Sequence, residues 1–67
     1  MSNLINVKKI EKFMGEKNFT KSEFCKFCKI PEPVFEKIIT QDFDFDTYYL
    51  FKMVKAMGMH IVQIFQD

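Results

Sequence analysis

The chain has no arginine, a single histidine and only two glycines among its 67 residues. Each scarcity excludes something. Without arginine there is no bidentate reading of guanine, the commonest specific contact to a base. Gly15 and Gly58 are too few and too far apart to form a glycine loop that cradles phosphate. His60 has no nucleophile placed to work with it, which is poor material for acid–base or nucleophilic chemistry. No enzymatic activity, catalytic residue, cofactor or metal is therefore expected. No stretch approaches the roughly 20 apolar residues of a membrane span. Met1–Met14 holds no apolar run of signal-peptide length. The expectation is a cytoplasmic protein with no membrane partner and with Cys25 and Cys28 reduced. The glycosylation sequon Asn18-Phe19-Thr20 then carries no meaning. No repeat and no low-complexity run divides the chain.

What is present is core material. Nine phenylalanines, two tyrosines and five methionines argue for a packed globule and against disorder. A domain this small buries only about 60% of its unfolded surface, so some apolar surface is left for an interface. The net charge is +1. It is unevenly spread: residues 1–29 hold seven lysines against three glutamates, and residues 30–67 hold three lysines against six acids. Such a total does not give a field that would hold nucleic acid by itself.

The hydrophobic spacing predicts one all-α domain of five short helices over residues 1–67. The first runs from about Asn3 to Glu16, with Leu4, Val7, Ile10 and Met14 on its apolar face and Phe13 beside them. Gly15 and Asn18 suit its exit. Thr20 is a good N-cap for the second, and Glu23 stands three residues on as its capping-box partner. Phe24, Phe27 and Cys28 form its apolar face. Pro31 and Pro33 are tolerable only in a first turn, so the third helix begins near Pro31 and runs to about Thr40, burying Val34, Phe35, Ile38 and Ile39. Gln41–Asp46 is an acidic loop. Asp46 or Thr47 caps a fourth helix to about Met57, ended by Gly58, with Leu50, Met53, Val54 and Met57 inward. A last short helix spans about His60 to Gln66, with Ile61, Ile64 and Phe65 facing inward.

The second and third helices are joined by a tight turn at Cys28-Lys29-Ile30. Such a pair can pack steeply and present its second helix outward. Here the sequence resembles a family. FTKSEFCKFCKIPEPVFEKII, TYYLFKMVKAMGMHIVQIF and the lysine-bearing first helix are similar to the phage repressor and Cro class of helix-turn-helix domains. Ser22-Glu23-Phe24-Cys25 stands where the class has small-polar, Glu, Leu, Ala. Leu50, Met53, Met57-Gly58-Met59 and Ile64-Phe65 stand where its closing signature falls. The likeness spans Val7 to Phe65. It implies a compact five-helix repressor-like bundle and a transcriptional regulator that binds double-stranded DNA, often as a homodimer. It also implies roles. Lys21 would open the second helix against a phosphate, and Glu32, Pro33, Glu36 and Lys37 would face the major groove. Thr40 and Gln41 would lie near the backbone just beyond.

The residues at those positions are unusual for such work. Glu32 and Glu36 are acidic, Pro33 offers no donor, and Asp42 and Asp44 follow the helix. Phosphate contacts need cations, although a glutamate can accept from cytosine N4. The alternative is the same fold used as a protein-binding regulator with little or no DNA affinity. Its surface would be drawn from the crowded aromatics Phe43, Phe45, Tyr48, Tyr49 and Phe51. Tyr48, Tyr49 and Phe51 are the candidates for a partner or dimer interface. Adjacent tyrosines on a helix point about 100° apart, so the core cannot take both. Core packing is the competing explanation for the cluster.

Other features have a plain reading beside a sharp one. Cys25 and Cys28 are half of a zinc site or a redox pair by spacing, and core residues by position. Lys8, Lys9, Lys12 and Lys17 are either a phosphate-facing strip or a solvated helix face shared with Glu11 and Glu16. Glu32 and Glu36 share a helix face, but a carboxylate pair needs a buried cleft before it can catalyse. His60 is read as an exposed or capping residue.

Overall fold

Residues 4–66 are described by a computed structural model of the chain. Four α-helices follow one another: α1 (Val7–Lys17), α2 (Lys21–Cys28), α3 (Glu32–Ile39) and α4 (Thr47–Ala56). A 3-10 helix (Ile61–Phe65) closes the order, and no strand occurs among the described residues. The radius of gyration of 10.9 Å equals the roughly 11 Å of a fully collapsed chain of this length.

Local chemistry sets most of the helix limits. The Thr20 hydroxyl accepts from the Glu23 N–H at 3.2 Å, and the Thr20 N–H donates to Glu23 Oε1 at 2.8 Å, completing the expected capping box. Pro31 is the N-cap of α3 and Pro33 sits in its first turn, where a missing N–H costs nothing. The Asp46 carboxylate accepts from the Tyr48 N–H at 3.0 Å at the start of α4. At three exits a non-glycine residue turns left-handed: Asn18 (φ 56°), Lys29 (φ 60°) and Gln41 (φ 63°). Beyond α4 that task falls to Gly58 at φ 75°, where no side chain resists it.

Two expectations about the ends need correction. The apolar spacing puts the start of the first helix at about Asn3, which lies outside the described residues, whereas α1 begins at Val7. Asn6 is its N-cap, its side chain accepting from the Lys8 N–H at 3.2 Å. Leu4 precedes the helix and is exposed, whereas Ile5 is buried in the core. The fifth helix is not α-helical. Five residues are too few to repay the cost of an α-helical nucleus. Its carbonyls are also taken by the opposite end of the chain. The Asn6 N–H donates to the Ile64 C=O at 2.7 Å, the Asn6 side-chain amide to the Gln66 C=O at 2.8 Å, and Lys9 Nζ to the Gln63 C=O.

The core runs through every element: Ile5, Ile10, Phe24, Cys25, Cys28, Ile30, Phe35, Ile38, Leu50, Met53, Val54, Met57 and Ile64. No polar or charged side chain is buried among the described residues. Phe24 is its centre. It is fully buried and lies 6.0 Å from Phe13 and 5.6 Å from Phe35 in edge-on contacts that join α1, α2 and α3. Its burial contributes roughly 3 kcal/mol before the ring contacts are counted. Phe27, expected inward, is 45% exposed and caps this cluster from outside, 5.2 Å from Phe19 and 5.9 Å from Phe13.

Candidate nucleic-acid interface

α2 and α3 pack against each other across the turn Lys29–Pro31. Lys29 reverses the chain in the left-handed conformation, and the Ile30 N–H donates back to the Cys25 C=O at 3.0 Å. Ile30 is then drawn into the core and anchors the turn. Phe35 and Ile38 hold α3 from beneath, with Val34 and Ile39 half-buried at its flanks. Glu32, Pro33, Glu36 and Thr40 are left on its exposed face.

Those side chains are largely engaged with their neighbours. Lys21, at the start of α2, forms an ion pair with Glu36 of α3, and both remain about half exposed. The hydrogen bond to Glu36 and then its charge hold the Lys21 ammonium above its ordinary pKa, with Glu32 adding a smaller push. Lys37 Nζ donates to the Asp44 C=O at 2.7 Å and lies 3.9 Å from an Asp44 carboxylate oxygen. The Thr40 hydroxyl donates back to the Glu36 C=O at 2.9 Å. Gln41 is the most committed. Its Oε1 accepts from the Ile5 N–H at 3.0 Å and its Nε2 donates to the Ile5 C=O at 2.9 Å. It therefore ties the exit of α3 to the first core residue of the chain.

The structure brings Lys21 and Glu36 together, joins Lys37 to the acidic loop, and directs Gln41 toward the chain's own backbone. The cations left beside this helix pair are Lys26 and Lys29, both exposed and free of any ion pair among the described residues. Sequence reasoning passed over them. Their signal was position, since they flank the turn between the two helices.

The aromatic surface divides. Tyr48 and Phe51 are 59% and 54% exposed on the outer face of α4, and Phe43 is 48% exposed in the loop before it. Tyr49 and Phe45 are half-buried and pack against the core. Phe45 lies 6.4 Å from Phe43, and Tyr49 lies 5.7 Å from Tyr48. Tyr49 therefore stands half-buried at the core margin, beside the exposed Tyr48.

Cys25 and Cys28 are core residues. Burial pushes the Cys28 thiol up to about 12, helped by its neighbour Cys25, and burial raises Cys25 as well. No three residues among His, Cys, Asp and Glu come together to hold a metal ion among the described residues. Glu32 and Glu36 stand in solvent. An open cleft of about 240 Å³ lies between α1 and the exit of α4, lined by Lys9, Lys12, Phe13, Glu16, Met57 and Met59. His60 is exposed, and its backbone N–H donates to Gln63 Oε1 at 2.7 Å. No helix of the described residues is long and apolar enough to cross a membrane. Comparison with family models, curated proteins and solved structures finds no match for the chain.

Proposed function

We propose that this chain is a small helix-turn-helix regulator that binds duplex DNA with α3 in the major groove. One observation carries the reading. α3 follows α2 after a three-residue turn and is rooted by Phe35 and Ile38, while Glu32, Pro33, Glu36 and Thr40 face solvent along its other side. A helix held from below and open above is the arrangement that groove recognition needs. Lys21 at the start of α2, with Lys26 and Lys29 at its end, supplies the cations for the phosphates on either side. Glu32 and Glu36 favour cytosine-bearing positions through the N4 donor.

A second reading has its own support. Glu36 and Asp44 neutralise the two lysines of the docking face, and a face of this charge suits a protein surface better than a phosphate backbone. In that case the fold serves as a protein-binding regulator with little DNA affinity. Fluorescence anisotropy on pooled random duplex DNA across a salt series separates the two. DNA binding predicts an affinity that falls steeply with salt, and Lys21→Ala lowers the slope by about one contact for all sequences alike. Absence of binding at low salt would remove the DNA reading and leave the protein-binding one.

A further inference from the structure

We propose that the cleft between α1 and the exit of α4 binds a small aromatic monoanion, its ring on the apolar part of the lining and its carboxylate, a short chain away, on Lys9 and Lys12. No lining residue lies on α2 or α3, so the site stands whether or not α3 meets DNA.

Phe13, Met57 and Met59 form the apolar part of the lining. Phe13 is held by other rings, with the fully buried Phe24 at 6.0 Å, Phe27 at 5.9 Å and Phe19 at 6.4 Å. Met57 and Met59 flank Gly58, whose φ of 75° turns the chain, and the Met59 N–H donates to the Val54 C=O at 3.1 Å to close that turn. Both walls are therefore set before a ligand arrives, which lowers the cost of binding. Methionine sulfur meets aromatic rings favourably, and its unbranched chain adapts to their outline.

Size limits the occupant. An apolar cavity of about 150 Å³ takes up one benzene ring. The cleft, at about 240 Å³, has room for a ring and a short side chain, and falls short of the roughly 300–1,000 Å³ of drug-sized pockets.

Charge selects the rest. Lys9, Lys12, Phe13 and Glu16 recur at helical spacing and form one stripe along α1. Neither lysine has an ion pair among the described residues. Lys9 Nζ donates to the Gln63 C=O, which fixes the ammonium and leaves two of its three N–H donors for a ligand. Lys9 and Lys12 are about 4.5 Å apart along the helix axis, so the two oxygens of one carboxylate can meet both. Glu16 lies about 6 Å beyond Lys12 at the other end of the stripe. Two cations against one acid favour a monoanion, and Glu16 opposes a second negative charge at the far end. Because the cleft is open and Lys12 stands in solvent, the affinity is weak, about 1 mM.

An amide-resolved NMR titration of the full chain with 3-phenylpropionate tests this. Saturable shifts should centre on the amides of Lys9–Glu16 and Met57–Met59. The neutral alcohol 3-phenylpropan-1-ol keeps the ring without the charge, and propionate keeps the charge without the ring. Each should bind several-fold more weakly. Lys12→Gln should weaken 3-phenylpropionate binding by about threefold or more, and Glu16→Gln should tighten it. Circular dichroism melts establish that each variant is folded. The comparison of the three ligands needs no variant, so it decides even where a substitution unfolds the chain. No saturable shift, shifts centred elsewhere, an alcohol that binds as tightly as the acid, or a folded Lys12→Gln with unchanged affinity would each overturn the site.

Discussion

Gln41 was expected beside the DNA backbone, but its side chain grips the backbone of Ile5, 36 residues away in sequence. Changing it measures what that grip is worth. Gln41→Ala removes both hydrogen bonds and leaves the new residue at a backbone φ of 63°. At about 1 kcal/mol net for each bond, the loss is about 2 kcal/mol. Gln41→Gly removes the same bonds but relieves the left-handed penalty of a side chain, about 1 kcal/mol, so its net loss is about 1 kcal/mol. A domain of this length has only about 3–10 kcal/mol in all. Each kcal/mol shifts Tm by roughly 4–8 °C at this size. Thermal melts by circular dichroism should rank wild type first, then Gln41→Gly about 5 °C lower, then Gln41→Ala about 10 °C lower. Hydrogen exchange should show the Ile5 amide losing protection first. An unchanged Tm in both variants, or alanine more stable than glycine, would refute the reasoning. A residue whose work is to contact phosphate would instead lose DNA affinity with no change of Tm.

Two further outcomes follow from the charges. Glu36→Gln should remove the acid that competes with phosphate for Lys21, raising affinity for random duplex DNA several-fold; an unchanged affinity would show that the pair does not restrain Lys21. The Cys28 thiol is raised from 9.0 to about 12, so the folded state holds its proton more tightly than the unfolded state does. That contribution to stability is complete below the ordinary pKa and is lost as pH rises through the folded one. Urea melts from about pH 8 to about pH 11 should show falling stability, and thiol reagents should react slowly until the chain unfolds. Rapid labelling of the folded protein would contradict this.

The helix limits were legible because their causes are local. Thr20 and Glu23 are three residues apart, Pro31 and Pro33 can occupy only a first turn, and Asp46 caps the residues directly after it. Gly58 ends α4 because a left-handed residue is easiest without a side chain. The inward positions of α3 and α4 followed from spacing for the same reason. The candidate docking helix could be placed at Pro31–Thr40, since its boundaries are written in its own residues.

What the tertiary structure alone decided depends on residues far apart in the chain. Ile5 is buried and Leu4 is not, because the segment before α1 is held by Gln41 and by the carbonyls of the 3-10 helix. That final segment could not be told from an α-helix by its apolar spacing, since its geometry is set by donors from the other end of the chain. Phe27 and Phe24 lie on the same short helix and look equally apolar, yet only packing against Phe13, Phe19 and Phe35 determines which is enclosed. Lys21 and Glu36 are 15 residues apart, and nothing in either neighbourhood foretells their ion pair. Backbone propensity and capping act within one turn of helix and can be read along the chain. Burial and charge pairing act through space, and only the folded arrangement assigns them.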